Sequence, residues 1–326
     1  MPARTRILAA IENTRAPMRI LVTGADGFVG GHLARGLAHA GHQVVGCVYG
    51  RAAQAGEVRV DLARESELAR LPSEVDAIVN AAGAVDAHLP VQAMLLANVR
   101  ATEHLTVWAA RHRVAHLVHL STVAVYGPLV LGEDRSESTP RLGLRLGLPY
   151  MRTKARAERV IEQSGVPYTL LRPPAVLGAG DSVISRGFVD AQRAGALPMV
   201  PGASFERRVS LVFVEGLVEI ACRLLARGPL YAALHAIDVE LTFGELAHAY
   251  ERALGHSFQC RETRWTTAIH ARNEVGLAWL IASSRFGQHY LRDRLVSELG
   301  YRSSLSLDSA VQSGLSGLQE QQRSLF

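Results

Sequence analysis

The stretch TGADGFVG, residues 23–30, decides the fold. It follows an apolar run, MRILVT (18–23), and precedes a helical pattern, so three glycines fall in the turn between a strand and a helix. Gly24 permits the tight turn, Gly27 lets the backbone approach a pyrophosphate, and Gly30 allows the helix to pack closely on the strand. The phosphates would meet the free N–H groups at the start of that helix. The stretch predicts a dinucleotide-binding loop.

The pattern continues along the first half of the chain, where strands and helices alternate. Strands are predicted at 18–23, 43–48, 57–60, 75–80, 115–120 and 167–171. Helices are predicted near 28–40, 64–70, 91–112 and 150–164. Connections of this kind are almost always right-handed. The fold class is therefore α/β, a Rossmann-type doubly wound parallel sheet with its ligand crevice at the carboxyl ends of the strands.

The alternation weakens after residue 172, where proline and glycine become more frequent. A smaller C-terminal substrate domain is predicted from there. The dinucleotide-binding domain is assigned to 18–178, with a strand and a helix near 231–254 returning to it. The substrate-binding domain is assigned to 179–230 and 255–326, and residues 1–17 to a peripheral N-terminal extension.

Composition narrows the class of protein. Hydrophobic residues make up 48% and charged residues 20%, which is typical of an enzyme with a large core. The net charge of +5 comes from arginines scattered beside glutamates, which does not predict a nucleic-acid partner. Apolar runs stay short of the ~18 residues that a membrane span needs. We expect neither a nucleic acid nor a membrane as a partner.

Cysteines and histidines predict no metal site. The three cysteines, Cys47, Cys222 and Cys260, lie far apart, which favours reduced thiols in a cytoplasm. His116 and His119 fall three residues apart on a predicted strand, and such positions face opposite sides.

The chain contains 35 lysines and arginines, and its one lysine is Lys154, four residues after Tyr150. Residues four apart share a helix face. A phenol with its ordinary pKa of ~10 is a poor proton donor or acceptor near neutral pH, and a nearby cation lowers that pKa. Lysine is a compact point charge, whereas arginine presents a broad planar fork. The pair predicts a catalytic tyrosine whose pKa is lowered by Lys154.

Six further motifs are spread along the chain. They are Asp61-Leu62, Asn80-Ala81-Ala82-Gly83, Asn98 within NVRAT, STVAVYG (121–127), RPPAVLG (172–178) and LGYRSSLSL (299–307). With the glycine loop, they resemble the extended branch of the short-chain dehydrogenase/reductase superfamily from residue 18 to about 318. The run RPPAVLGAGDSVISRG with ALPMVPG is similar to its 3β-hydroxysteroid dehydrogenase and dihydroflavonol reductase side.

The resemblance implies an NAD(P)-dependent enzyme and a homodimer. It implies catalytic roles for Thr122, which steadies a substrate carbonyl, Tyr150 and Lys154, and for Asn98, which orders a water in a proton relay. It implies a cofactor held by Gly24, Asp26, Gly27, Phe28, Val29, Gly30, Tyr49, Arg51, Asp61, Leu62, Ala81, Ala82, Gly83, Tyr150, Lys154 and Pro173. The neighbouring Ser121 is expected to bond only to backbone.

The choice between NAD and NADP depends on the end of the second strand. An acid there would bind the ribose 2′-OH and favour NAD. The chain has Val48-Tyr49-Gly50-Arg51 at this place, with no carboxylate. Arg51 and Arg35 are candidates for a 2′-phosphate, so NADP is favoured over NAD.

Departures from related enzymes separate the possible reactions. Sugar-nucleotide dehydratases place an acid and a base after the catalytic threonine, where this chain has Val123 and Ala124. Epimerases carry an arginine where the chain has Val209, although Arg207 and Arg208 lie beside it. These features predict a carbonyl reductase or alcohol dehydrogenase, with a nucleotide-sugar 4-epimerase as the alternative. A non-catalytic dinucleotide sensor is disfavoured because both the tyrosine and the lysine are present.

The segment from 127 to 148 predicts a lid over the active site. Its apolar residues are Leu129, Val130, Leu131, Leu142, Leu144, Leu146 and Leu148. A long apolar loop of this kind suits a small, partly apolar substrate, as does an apolar helix near 276–282. Alternatively, the leucines anchor the loop to the core.

Overall fold

The computed structural model of the protein describes residues 17–85, 89–264 and 275–323. The predicted N-terminal extension lies outside the described residues, apart from its last residue, Pro17. No helix within the described ranges is long and apolar enough to span a membrane.

Fourteen strands are described. They are β1 (Arg19–Thr23), β2 (Gln43–Val48), β3 (Glu57–Arg59), β4 (Ala77–Asn80), β5 (His116–Leu120), β6 (Gly132–Arg135), β7 (Tyr168–Arg172), β8 (Ala175–Leu177), β9 (Leu197–Met199), β10 (Arg208–Phe213), β11 (Ala233–His235), β12 (Val239–Thr242), β13 (Cys260–Glu262) and β14 (Gln288–Tyr290).

The described α-helices are α1 (Phe28–His39), α2 (Val91–Met94), α3 (Ala101–Arg111), α4 (Gly143–Leu146), α5 (Pro149–Gln163), α6 (Ile184–Arg193), α7 (Val214–Arg227), α8 (Phe243–Leu254), α9 (Val275–Phe286), α10 (Asp293–Leu299) and α11 (Leu307–Arg323). A π-helical turn, Leu95–Arg100, joins α2 to α3, and 3₁₀ segments lie at Glu65–Arg70 and Val123–Val130.

A seven-stranded sheet forms the centre of the molecule, in the order β11-β7-β5-β4-β1-β2-β3. All of its neighbours pair in parallel. The order reverses between β1 and β4, which is where a doubly wound sheet opens its ligand crevice. The predicted fold class is confirmed, and the predicted strands agree with the observed ones to within two residues at each end.

A second, mixed sheet lies in the C-terminal half, in the order β12-β10-β14-β6 with β8 beside β10. A separate core covers it and contains four stacked or tilted aromatic rings, Phe188, Phe205, Phe243 and Tyr250. β6 comes from the predicted lid, so that segment adds a strand to this sheet beside β14.

The two cores divide the chain differently from the predicted domains. Helix α7, expected in the substrate domain, packs on the central sheet, where Leu217 and Ile220 join the first core. Strand β11 pairs with β7, as expected of the returning strand. Helix α8, expected to return with it, instead buries Phe243 and Leu246 in the second core. An amphipathic pattern specifies which face of a helix is buried but not which sheet covers it.

Candidate active site

The glycine loop brings three backbone segments into close contact at the carboxyl end of β1. Gly24 has a φ of +67°, and a Cβ there would lie 2.8 Å from the backbone of Ala81 and Ala82. A Cβ on Gly30 would lie 2.0 Å from the Gly24 carbonyl oxygen. Helix α1 begins directly after Gly27, with its first N–H groups at the crevice. This cradle fits the pyrophosphate of a dinucleotide.

The predicted NAAG element lies against this loop. The Ala81 N–H donates to the Thr23 carbonyl at 3.3 Å, and the Ala82 N–H donates to the Thr23 hydroxyl at 3.2 Å. Gly83 lies beside Asn98, whose Oδ1 would be 2.9 Å from a Cβ on that glycine. On α1, Val29 packs against the first core and the Phe28 ring lies against Gly180. Gly180 belongs to the loop that leads into α6.

A cavity of about 300 Å³ lies beside the ends of β2 and β3. Tyr49 and Asp61 line it, together with Arg59, Arg64, Glu67 and Arg70. Leu62, the next residue after Asp61, is buried in the core beneath it. Two residues that the sequence analysis assigned to the cofactor therefore share one cavity.

The end of β2 differs from what the sequence suggested. Arg51 forms a bidentate ion pair with Glu57, with both N–O distances at 2.6 Å. The Asp26 carboxylate accepts the N–H groups of Tyr49 and Gly50 at 3.0 and 2.6 Å. A carboxylate thus lies at the end of β2 after all, although the residue that carries it belongs to the glycine loop.

Thr122, Tyr150 and Lys154 meet at the carboxyl end of β5. Helix α5 begins with Pro149 at its first position, which fixes its start next to Tyr150. The Tyr150 hydroxyl lies near Thr122, whose hydroxyl acts to lower the pKa of the tyrosine and whose Oγ1 accepts the Ala124 N–H at 3.1 Å. Lys154, one turn further along α5, donates from Nζ to the Leu120 carbonyl at 2.7 Å. The tyrosine and the lysine therefore share a helix face, as predicted.

The predicted lowering of the Tyr150 pKa is wrong in direction. Burial raises the pKa of Tyr150 to about 12, and only the nearby Thr122 hydroxyl acts the other way. The phenol is therefore protonated at neutral pH, so Tyr150 is set up to donate a proton rather than to accept one. Burial also lowers the pKa of Lys154 to about 8, although the Glu158 carboxylate opposes this.

A chain of buried polar groups runs from Lys154 to the glycine loop. His119 Nε2 lies 3.4 Å from Lys154 Nζ, and His119 Nδ1 lies 3.0 Å from the Asn80 amide. Asn80 in turn accepts the Thr23 hydroxyl at 2.6 Å. Burial and the Lys154 charge lower the pKa of His119 well below its ordinary value, so its imidazole is neutral. The sequence analysis treats His119 only as a possible metal ligand and misses this role. The available signal is its position on β5, two residues before Ser121.

Asn98 is buried beside the same region. Its side-chain amide pairs with the backbone of Ala84 in both directions, at 2.7 and 3.0 Å, and also donates to the Thr153 hydroxyl. It lies within the π-helical turn between α2 and α3. These bonds fix the segment after Gly83, and the proton relay through Asn98 stays a prediction.

Ser121 and Pro173 each make a hydrogen bond that holds a strand end. The Ser121 hydroxyl donates to the Glu158 carboxylate at 2.6 Å, so its partner is a side chain and not the backbone that was expected. The Pro173 carbonyl accepts the Val123 N–H at 3.1 Å and so fixes the residue after Thr122. The role of Pro173 in cofactor binding stays a prediction.

Glu158 connects the catalytic helix to the central sheet. It is fully buried and binds both Arg172, at 2.7 and 2.8 Å, and Arg141, at 2.9 Å. Burial alone would raise the pKa of Glu158, but its bonds to Arg172 and Ser121 hold that pKa below its ordinary value. Sequence reasoning missed this residue, which follows Lys154 at the same spacing that separates Lys154 from Tyr150.

We expect Glu158→Gln to lower the free energy of unfolding by about 3–5 kcal/mol, because the Arg172 guanidinium, 3% exposed, would remain buried without its counter-charge. Urea denaturation would measure this. Glu162→Gln is the matched control: Glu162 also binds Arg141 but is 30% exposed, so about 1 kcal/mol or less is expected. Equal losses in the two variants would contradict a structural role for the buried pair.

The predicted lid is partly anchored and partly exposed. Leu129, Val130 and Leu144 pack against a core cluster that contains Tyr126, as the alternative reading expected. Leu146 and Leu148, just before Tyr150, are 66% and 68% exposed. Helix α9 packs on α6 in the second core, and its Leu277 and Ile281 line a separate cavity of about 410 Å³ that none of the four catalytic candidates lines.

Metal chemistry has no visible basis in the part of the chain that the structure describes. No group of three or more histidine, cysteine, aspartate or glutamate side chains is placed there to hold an ion. His116 bonds to Thr169 instead.

A parallel sheet with a glycine cradle at its carboxyl edge is the arrangement of the Rossmann class of dinucleotide-binding folds. The chain belongs to the NAD dependent epimerase/dehydratase family, whose model matches residues 20–233.

Curated relatives of the chain include two ketone reductases. The 2-alkyl-3-oxoalkanoate reductase of Stenotrophomonas maltophilia is 29% identical over 211 residues, which cover 61% of this chain and 62% of that protein. A 4-hydroxy-2-methyl-3-oxo-4-farnesyl-3,4-dihydroquinoline-1-oxide ketoreductase of Stigmatella aurantiaca is 29% identical over 65% of this chain and 66% of that one. The chain thus matches just under two thirds of these relatives' lengths.

Solved structures share the fold over nearly the whole chain. UDP-glucuronic acid 4-epimerase from Bacillus cereus, in complex with NAD, superposes with a TM-score of 0.72 at 17% identity. The superposition covers 93% of this chain and 99% of that one. At this level of identity the likeness shows the fold alone.

Proposed function

We propose that the protein is an NAD(P)-dependent reductase that transfers hydride to the carbonyl of a small, partly apolar ketone. The observation that carries this is the convergence of the Thr122, Tyr150 and Lys154 side chains at the end of β5. The two ketone reductases among its relatives support it.

The nicotinamide, when bound, supplies the hydride. The residues of this chain then have separate tasks. The Thr122 hydroxyl donates a hydrogen bond to the substrate carbonyl oxygen and steadies the charge that develops there. The Tyr150 hydroxyl gives its proton to the same oxygen, and its raised pKa keeps it protonated for that step. Lys154 presents its ammonium group to the cofactor ribose from the floor of the crevice.

The region that would bind a nucleotide diphosphate favours a reductase over an epimerase. Val209, which replaces the epimerase arginine, is fully buried in β10. The neighbouring Arg208 is committed to the lid segment, where Glu133 and Asp134 lie at 3.1 and 2.9 Å. With its charge compensated by two acids, Arg208 is a poor substitute for that arginine.

The exposed Leu146 and Leu148 support an apolar substrate. Leu146 ends α4 and Leu148 immediately precedes α5, so both lie within four residues of Tyr150 in the chain, and both side chains are largely exposed. Side chains of this kind, exposed next to a polar site, are typical of a binding surface. An acyl chain or ring attached to the ketone would cover them.

A homodimer in the cytoplasm is part of the same proposal. Val91, Leu96 and Val107 are exposed on the α2–α3 segment, which packs beside α5 and offers apolar contacts to a second copy. The free thiols of Cys47, Cys222 and Cys260 suit a reducing compartment.

A cofactor-oxidation assay tests the proposed reaction. NADH and NADPH consumption would be followed at 340 nm against 3-oxoacyl esters, cyclic ketones and nucleotide-sugars. The expected result is that NADH or NADPH is oxidised in the presence of a ketone, in proportion to the alcohol that is formed. Epimerisation of a nucleotide-sugar without added cofactor would contradict it.

A further inference from the structure

The Asp26 carboxylate lies against the backbone that follows β2. Its Oδ2 accepts two successive backbone N–H groups, those of Tyr49 and Gly50, directly after β2. The end of the second strand is where dinucleotide-binding folds distinguish a 2′-OH from a 2′-phosphate. Those two N–H groups are the donors that an incoming phosphate would need, and a carboxylate already uses them.

The negative charge of Asp26 acts on other groups at the end of β2. Burial raises the pKa of the Cys47 thiol to about 12, and Asp26 adds to that rise. A Cβ on Gly50 would lie 3.3 Å from Asp26 Oδ2, so the carboxylate lies directly on the loop backbone. A 2′-phosphate placed there would carry its charge within a few ångströms of a fixed anion, which is unfavourable even near the surface.

The arginine expected to attract a 2′-phosphate is committed elsewhere. Both terminal nitrogens of Arg51 bind the Glu57 carboxylate. The Oε2 atom of Glu57 also accepts the Gln54 N–H at 2.8 Å. Arg59 lies on the next strand, where its Nε donates to the Tyr49 carbonyl at 3.3 Å. Arg51 and Arg59 are thus engaged with an acid and with a backbone carbonyl, whereas Arg35, the second candidate from the sequence, lies on α1.

We propose that Asp26 makes this enzyme select NAD over NADP, by accepting the ribose 2′-OH on its carboxylate and repelling a 2′-phosphate. Oδ1 of Asp26 is the atom for that hydroxyl, because Oδ2 serves the two N–H groups. This proposal rests on the proposed dinucleotide function and opposes the NADP preference that Arg51 suggested from sequence.

Direct titration of the purified full chain with NAD and with NADP, without substrate, tests it. We expect the wild type to bind NAD at least tenfold more tightly. Asp26→Asn keeps an oxygen acceptor for the Tyr49 and Gly50 N–H groups but removes the charge, so the affinity ratio should move about tenfold toward NADP. Asp26→Ser gives a second, shorter neutral acceptor should Asp26→Asn fold poorly.

Asp76→Asn is the matched control. Asp76 also accepts a backbone N–H, that of Arg19 at 2.6 Å, but at the opposite end of the central sheet. Asp76→Asn changes the net charge by the same amount as Asp26→Asn. The ratio of its affinities for NAD and NADP should equal that of the wild type.

The outcomes separate this proposal from the one it rests on. Wild-type binding of NADP as tight as that of NAD, or a ratio that Asp26→Asn and Asp26→Ser leave unchanged, would overturn the selection alone. A preference for NADP that is lost in Arg59→Met would overturn it and assign the 2′-phosphate to Arg59. Failure of both dinucleotides to bind would overturn the proposed function and the selection together.

Discussion

Tyr150→Phe should lower kcat/KM for ketone reduction by about a thousandfold and leave dinucleotide affinity within a few-fold of the wild type. The substitution keeps the ring and removes only the hydroxyl that lies near Thr122. General acid catalysis by a positioned side chain contributes ~10²–10⁴ in rate, so losing the proton donor should cost an amount in this range. Steady-state kinetics with NADH and NADPH, together with cofactor titration, would measure both quantities.

Tyr126→Phe is the control for this expectation. Tyr126 is also buried and lies close in sequence to Thr122, but its hydroxyl is bonded to His235 at 2.6 Å and to Arg172 at 3.1 Å. Removing the Tyr126 hydroxyl should lower the free energy of unfolding by ~1–3 kcal/mol, because its buried partners lose a hydrogen bond. It should change kcat little. If Tyr126→Phe removed turnover while Tyr150→Phe did not, the proton donor would be Tyr126 and not Tyr150.

Lys154→Arg should lower kcat/KM by about a hundredfold, although the charge is kept. The ammonium group is 5% exposed and fits between the Leu120 carbonyl and His119. A guanidinium is broader and planar and cannot take the same place. Kinetics and cofactor titration would show weaker dinucleotide binding together with slower turnover.

The pH dependence gives this variant a second readout. Because burial lowers the pKa of Lys154 to about 8, the free enzyme loses its ammonium as pH rises through that value, and wild-type kcat/KM should fall there. A guanidinium stays protonated, so Lys154→Arg should lack this fall. Arg156→Lys, on the exposed face of the same helix, should match the wild type in rate and profile. A fully active Lys154→Arg would show that any cation suffices, and a fall near pH 8 that persists in this variant would show that it does not come from Lys154.

The parallel central sheet and the edge that holds its crevice could be predicted because both follow from local patterns. Alternating apolar runs and a glycine turn between a strand and a helix specify a parallel sheet with little ambiguity. The spacing of Tyr150 and Lys154 placed both on one helix face, and the structure brings them to the end of β5.

Contacts between distant segments could not be predicted in the same way. The pairing of Arg51 with Glu57, and of Asp26 with the backbone after β2, depends on how loops meet in space. The Tyr150 pKa was misjudged because sequence shows a neighbouring charge but not the burial that outweighs it. Helices α7 and α8 were assigned to the wrong cores because an apolar face does not specify its partner.

Deuterium transfer tests the central claim, reduction of a ketone by hydride from the nicotinamide with Tyr150 as the proton donor. The enzyme would be incubated with NADH or NADPH deuterated at the transferred position of C4 and with the best ketone from the oxidation assay, and the product alcohol analysed by mass spectrometry. We predict one carbon-bound deuterium per alcohol formed, and almost none in the same time with Tyr150→Phe. An alcohol without deuterium, or equal incorporation by the variant, would contradict the account.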